Sequence, residues 1–237
     1  FVLIGVIAYY VLPKRVQWIV LLALSLIFYF FAATPYTIGY VVVSTMIAYG
    51  ATMYIQKKRS RNAEASKKIF VVAIVAILLN ITVWFAIKGR GLWLPFATRL
   101  VSWHYISQVE SLINLQLIAS LGMGYYTLQI IGYIIDCYWG TIQPQSNPLK
   151  LFLFTIYFPQ LTTGPISRYT QLESLFEQHS FECQNLSFGM QRILWGLVKK
   201  IVLAERVGII VNTINMDPIN YTGFYSWIAI LLYPLQM

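Results

Sequence analysis

Apolar runs of membrane-spanning length follow one another along this chain, and they constrain its fold more than any other feature. A helix needs about 20 apolar residues to cross the hydrocarbon core of a bilayer. Such runs lie at 16–33, 36–55, 69–87 and 113–135, with shorter ones at 1–12 and 223–237. Only 11% of residues are charged, 58% are hydrophobic and the mean hydropathy is +0.65. A soluble domain usually carries about 25% charged residues. The expectation is an all-α polytopic membrane protein forming a single membrane-embedded domain over 1–237. Phe1 lies inside the first run and Met237 inside the last, so the sequence reads as an internal stretch of a longer membrane domain. No basic start or small-residue cleavage site marks a signal peptide.

The net charge of +9 is then a matter of orientation and lipid contact, not of nucleic acid. The basic stretches "PKR" at 13–15 and "QKKRSRNAEASKK" at 56–68 are separated by two spans, which puts them on one side of the membrane. The positive-inside rule makes that side cytoplasmic, and the second stretch reads as a solvated loop. Residues 92–106 then fall outside, where Trp93, Trp103 and Tyr105 suit an interfacial aromatic belt. A return through 113–135 brings Asp136 and "CYWGTIQPQSNP" near the cytoplasmic face. Cys137 and Cys183 have no metal-type spacing and read as packing residues.

Polar residues interrupt the apolar pattern in three places, and ionisable groups at membrane depth are expensive unless they face a partner or a cavity. In "GMGYYTLQIIGYIIDCYWG", 122–140, residues Tyr126, Gln129, Tyr133 and Asp136 recur at helical spacing and share a face. Such a stripe either packs against other helices, which the glycines would allow closely, or lines a watery passage. The second place is 149–176. Its apolar part, 149–161, is too short to cross. Pro159 ends a helix near Phe158, and Gly164-Pro165 marks a turn. Irregular backbone at membrane depth is tolerated only where protein or water satisfies it, so this segment reads as a re-entrant helix and buried loop. Arg168 follows at once. It either ties that loop down or stands on a substrate path. The third is 186–214, where Arg192, Lys199 and Arg206 are spaced by seven and would give an interfacial helix a basic face, by snorkelling or by lining a cavity edge.

Catalytic groups are scarce. His104 sits in the aromatic belt and His179 in the polar loop "FEQHSFEC", and neither has an acid at useful spacing. No nucleophile elbow, zinc-protease helix, phosphate loop or paired-cysteine motif appears, and no metal site is expected. On residues alone the chain is a membrane scaffold with a polar interior and no visible reaction centre.

The three interrupted segments carry a family resemblance. "LGMGYYTLQIIGYIIDCYWG" resembles the pattern "GISFYTFQ…SYLVDVYRG". "YFPQLTTGPISRYTQL" resembles "FFPQLIAGPIxRY". "GMQRILWGLVKKIVLAERV" is similar to the Gly-Leu-x-Lys-Lys helix that follows. Together, in that order over roughly 122–206, they resemble the membrane-bound O-acyltransferase family, most closely its bacterial polysaccharide type, such as the alginate O-acetyltransferases.

The resemblance implies membrane helices around a central tunnel in a multi-pass protein of the bacterial plasma membrane. The reaction would move an acyl group, acetyl foremost, onto hydroxyls of an envelope polymer. The co-substrate would be an acyl thioester, acyl-CoA or acyl-carrier protein, arriving from the cytoplasmic side, with no bound cofactor or metal. An envelope polymer or an extracytoplasmic acyltransferase partner would take the acyl group. Tyr126, Gln129, Asp136, Gly164, Pro165 and Arg168 match motif positions and become tunnel candidates. The family's catalytic histidine is expected in a later segment, beyond residue 237, so none of the residues here is assigned as catalytic. The family's Tyr-Arg-Gly reads Tyr138-Trp139-Gly140, a departure. Three other readings stay open: D-alanyl transfer to teichoic acid, a transporter, and a non-catalytic scaffold. A transporter would favour paired broken helices in repeated halves, and one broken element is visible.

Overall fold

A computed structural model describes residues 2–59, 66–89, 91–93, 95, 121–161, 166–177, 179–216, 221 and 223–236. Every regular element among them is helical. The helices are α1 (Val2–Val11), α2 (Gln17–Ala32), α3 (Ile38–Arg59), α4 (Ser66–Lys88), α5 (Met123–Trp139), α6 (Pro148–Ile156), α7 (Tyr169–Leu172), α8 (Cys183–Val198), α9 (Glu205–Met216) and α10 (Phe224–Gln236). Among the described residues, three helical stretches are long and apolar enough to cross a membrane: Lys14–Ala32, Pro35–Arg59 and Lys67–Lys88. They coincide with the runs expected at 16–33, 36–55 and 69–87. The first part of the run at 113–135 lies outside the described residues, and its remainder opens α5.

The chain divides into two compact units, Phe1–His179 and Ser180–Met237, within what the sequence presents as one domain. In the first, α3 is central and packs against α4, α5 and α6, while α2 also packs on α6. One face of α3, with Val41, Thr45, Ala48, Thr52 and Ile55, is buried, and Ala73, Ala76 and Asn80 form the buried face of α4. Small side chains there let helix backbones approach closely where no hydrophobic force acts between helices in lipid.

The polar side chains buried between these helices send their hydrogens to their own helix, although the Asn80 Oδ1 is left without a partner among the described residues. Thr45, Thr52, Asn80, Thr127 and Thr155 each donate to the carbonyl four residues earlier, at 2.7–2.9 Å. Such back-bonding disposes of a hydroxyl or amide hydrogen that a dry interior would otherwise leave unpaired. The turn between α2 and α3 is closed in the same economy of donors. The Thr37 hydroxyl donates to the Thr34 carbonyl at 2.7 Å, so the hydroxyl of buried Tyr29, 2.8 Å away, must be the donor to Thr37.

In the second unit α8 has no buried residue and runs through a π-helical segment, Lys199–Ala204, into α9. α9 and α10 pack on each other around Val211, Ile214 and Ala229.

Candidate functional site

The sequence-marked stripe lies on α5. At about 100° per residue, Tyr126, Gln129, Tyr133 and Asp136 fall within an arc of about 80°. All four are buried. Tyr126 packs into the core built on α3 and α4. Tyr133 belongs to a second cluster with Cys137, Leu151, Phe154, Tyr169 and Leu172. α5 ends in a Schellman-type cap: Gly140, at φ 81°, donates to the carbonyls of Asp136 and Cys137, and the Thr141 amide donates to Asp136.

A guanidinium from another helix completes that cap. Arg59, the last residue of α3, donates through Nη1 to the Cys137 carbonyl at 3.2 Å and through Nη2 to the Tyr138 carbonyl. A cation on the terminal carbonyls opposes the negative end of the helix dipole. The contact borders a cavity of about 280 Å³ with Gln56, Ile142 and Gln143 on its wall.

The connector 140–147 is stitched to three elements. The Tyr49 hydroxyl donates to the Ser146 carbonyl at 2.9 Å. The Gln145 amide N–H donates to the Tyr133 hydroxyl, and its Nε2 to the Tyr169 hydroxyl, each at 2.8 Å. Its Oε1 accepts from the Asn147 amide at 3.1 Å. Asn147 in turn caps α6, its Oδ1 accepting from Leu149 at 2.9 Å, with Pro148 at the first helical position.

From that cap the segment 148–176 runs out and returns. α6 ends at Ile156, two residues before the position set by Pro159, and the Phe158 amide is held by the Ser25 hydroxyl at 3.3 Å. The Leu161 carbonyl then lies against Gly122, at the far end of α5 from the connector; a Cβ on Gly122 would stand 2.0 Å from that oxygen. Gln160 Nε2 donates to the Ser167 hydroxyl at 2.9 Å, which ties the outgoing and returning parts of the segment together. Gly164 and Pro165 lie outside the described residues. On the way back, the Tyr169 ring packs 5.1 Å from Tyr133 and 5.2 Å from Phe154. Phe176 then reaches Lys150 at the base of α6.

Arg168 is exposed on the returning strand. Its backbone is fixed: its amide donates to Gln171 Oε1 at 3.0 Å, and its carbonyl accepts from the Gln171 amide at 3.1 Å. Burial pushes the neighbouring Tyr169 hydroxyl up to about 12, with the Gln145 hydrogen bond opposing that shift. His179 closes the first unit. Gln17 clasps its backbone, Oε1 accepting from the amide and Nε2 donating to the carbonyl, both at 2.9 Å, and Nδ1 lies 2.9 Å from the Tyr9 hydroxyl. These contacts give it a structural post. His104 lies outside the described residues.

Arg192, Lys199 and Arg206 are all exposed. The π segment between Lys199 and Ala204 is wound more widely than an α-helix, which shifts the register between Lys199 and Arg206. Among the described residues no group of three or more His, Cys, Asp or Glu could hold a metal ion.

The residues that sequence reasoning passed over are Arg59, Gln145 and Tyr169. Gly140 after an aromatic-rich helix signals a C-terminal cap, and Asn147-Pro148 signals a helix start. Nothing local marks Gln145, whose partners come from both sides of it in the chain.

An all-helical chain with three helical stretches of spanning length and apolar character among the described residues defines an all-α membrane protein. The chain is similar to proteins named for O-acetylation of envelope polymers, in agreement with the resemblance of the three segments. A probable alginate O-acetylase of Pseudomonas syringae is 26% identical over 68% of this chain and 31% of its own length. The probable alginate O-acetylase of Azotobacter vinelandii is 24% identical over 97% of this chain and 44% of its own length. The peptidoglycan O-acetyltransferase of Helicobacter pylori is 23% identical over the whole chain and 49% of its own length. The chain thus spans between about a third and a half of these relatives. No family model matches the chain, and no solved structure matches it significantly.

Proposed function

We propose that this chain is part of a multi-pass plasma-membrane O-acyltransferase that moves an acyl group, acetyl foremost, onto hydroxyls of a cell-envelope polysaccharide or related polymer. The observation that carries the reading is the similarity, over 97% and 100% of the chain, to proteins named for O-acetylation of alginate and peptidoglycan. An acyl thioester, acyl-CoA or acyl-carrier protein, is the donor from the cytoplasmic side. An envelope polymer, or an extracytoplasmic partner that passes the group on, is the acceptor.

In this reading 149–176 is a re-entrant element beside the acyl path. What supports that is its course: both ends lie by the connector, and Leu161 lies by Gly122. Tyr126, Gln129 and Asp136 stand on the α5 wall of the path, Gly164 and Pro165 form the bend, and Arg168 faces the substrate from the returning strand. A guanidinium carried on a backbone held in this way suits a carbonyl or phosphate oxygen on which charge accumulates.

The test is a strain lacking the gene, complemented with the full-length protein or its Arg168→Ala variant. Ester-linked acyl groups are released from the envelope by mild base and identified. Acetate lost on deletion, restored by the native protein and not by a well-expressed variant is the expected result. Release of D-alanine would transfer the reading to teichoic acid alanylation. No change in any base-labile group on deletion would overturn it in favour of a transporter or scaffold.

A further inference from the structure

We infer that Gln145 is a positioning residue for Arg168, acting through Tyr169. The inference rests on the proposed role of Arg168 in acyl transfer.

Three features of the geometry lead to it. First, Gln145 is held on three partners: its amide N–H donates to Tyr133, its Nε2 donates to Tyr169 and its Oε1 accepts from Asn147. The main chain of Gln145 is thus held on α5, and its side chain ties the start of α6 and the returning segment to that same point. Second, Tyr169 follows Arg168 directly. Its ring is wedged between Tyr133, Phe154 and Phe176, whose centroids lie 5.1, 5.2 and 5.9 Å away. The wedge fixes the ring plane, and the hydroxyl bond to Gln145 fixes how deep the ring sits. Third, the backbone of Arg168 is held by Gln171, so its main chain moves with α7 as one piece. A change in the depth of Tyr169 becomes a change in where Arg168 stands. Among the described residues, the other hydrogen bonds that place this piece lie within the returning segment or run from Gln160 to Ser167. The Gln145 side chain is thus its hydrogen-bonded tie to the connector, beside the ring packing on Tyr133 and Phe154.

The experiment separates position from stability in the full-length membrane protein. In an Arg168→Cys, Cys183→Ser background, labelling of position 168 by a membrane-impermeant maleimide is followed, with buried Cys137 as the internal reporter of general unfolding. Gln145→Leu is expected to change the labelling rate at 168 about fivefold or more, the scale of one lost hydrogen bond, with Cys137 still protected. Gln145→Glu, whose carboxylate can accept from both the Tyr169 hydroxyl and the Asn147 amide, is expected to restore the native rate. In the otherwise native protein, Gln145→Leu should lower base-labile acyl content and Gln145→Glu recover it.

An unchanged labelling rate at 168 overturns the positioning role even if Arg168→Ala abolishes transfer. Labelling of Cys137 rising in step with 168 also overturns it, since Gln145 is then only a stability residue. A changed rate with Arg168→Ala fully active keeps the tether but removes its purpose, and the failure then belongs to the proposed function.

Discussion

The Lys150 ammonium lies 5.8 Å from the centre of the Phe176 ring and 5.8 Å from that of Trp18. Lys150 is in the first turn of α6, and Phe176 is where the returning strand comes back to it. The pair therefore closes the base of the out-and-back segment, as Leu161 and Gly122 mark its tip. A cation over an aromatic face is worth about 0.5–1 kcal/mol when exposed and more when desolvated. Lys150→Met keeps the aliphatic stem and removes the charge. It should lower the thermal midpoint of the detergent-solubilised full-length protein by an amount equivalent to about 1 kcal/mol. In a double-mutant cycle with Phe176→Leu the two losses should overlap, because each removes the same contact. Fully additive losses would show that the base is closed by packing alone.

Gly122 and Gly124 offer a paired test of the tip. Gly122 has φ 66°, and a Cβ there would meet the Leu161 carbonyl oxygen at 2.0 Å, while a Cβ on Gly124 meets nothing within 4 Å. Gly122→Ala combines a left-handed backbone with a clash against main chain, which cannot swing aside. It should cost about 1–3 kcal/mol, the range of a strained backbone site, and displace the bend. Gly124→Ala, inside α5, should be neutral or stabilise by up to about 1 kcal/mol through helix propensity. Thermal midpoints of the two variants decide it. Equal effects would mean that Leu161 does not rest on Gly122.

Much of this fold is legible because the bilayer simplifies the code. Runs of twenty apolar residues have one reading, and α2, α3 and α4 coincide with the runs at 16–33, 36–55 and 69–87 within a few residues. Gly140 and Asn147-Pro148 announce a stop and a start that the structure contains. The tertiary ties are illegible for a physical reason. Arg59 meets Cys137 and Tyr138, and Gln17 meets His179, across long stretches of chain, and neither arginine nor glutamine carries a local signal of its distant partner. The spacing of Arg192, Lys199 and Arg206 shows the opposite limit: a period of seven presumes an uninterrupted α-helix, and Lys199–Ala204 is not one.

Tyr169 predicts an alkaline limit to stability. Burial raises its hydroxyl to about 12 from an ordinary 10. The folded state therefore holds the proton more tightly than the unfolded chain. This contribution is fully present below pH 10, the unfolded value, and declines as pH rises from there through the folded value of about 12. Tyr169→Phe has no proton to lose and also lacks the bond to Gln145. It should be less stable than the native protein at pH 7 to 9, and the gap should narrow above about pH 10. Thermal midpoints measured in steps between pH 7 and 11 provide the comparison. A gap that stays constant across that range would assign Tyr169's contribution to packing alone.

Arg59 and Gly140 should prove to be coupled. Arg59 places two donors on the end of α5, and Gly140 clears the space for them; a Cβ at 140 would stand 2.6 Å from Arg59 Nη1. Arg59→Ala should lose about 1 kcal/mol, the scale of a cation at a helix C-terminus. Arg59→Lys should recover only part of it, because a single ammonium cannot fork across two carbonyls as a guanidinium does. Gly140→Ala suffers twice, from its φ of 81° and from the displaced guanidinium. In an Arg59→Ala background the second penalty is gone, so the double variant should be more stable than the sum of the single losses predicts. Urea or thermal unfolding of the four proteins closes the cycle, and strict additivity would mean that the guanidinium does not rest on the helix end in the membrane.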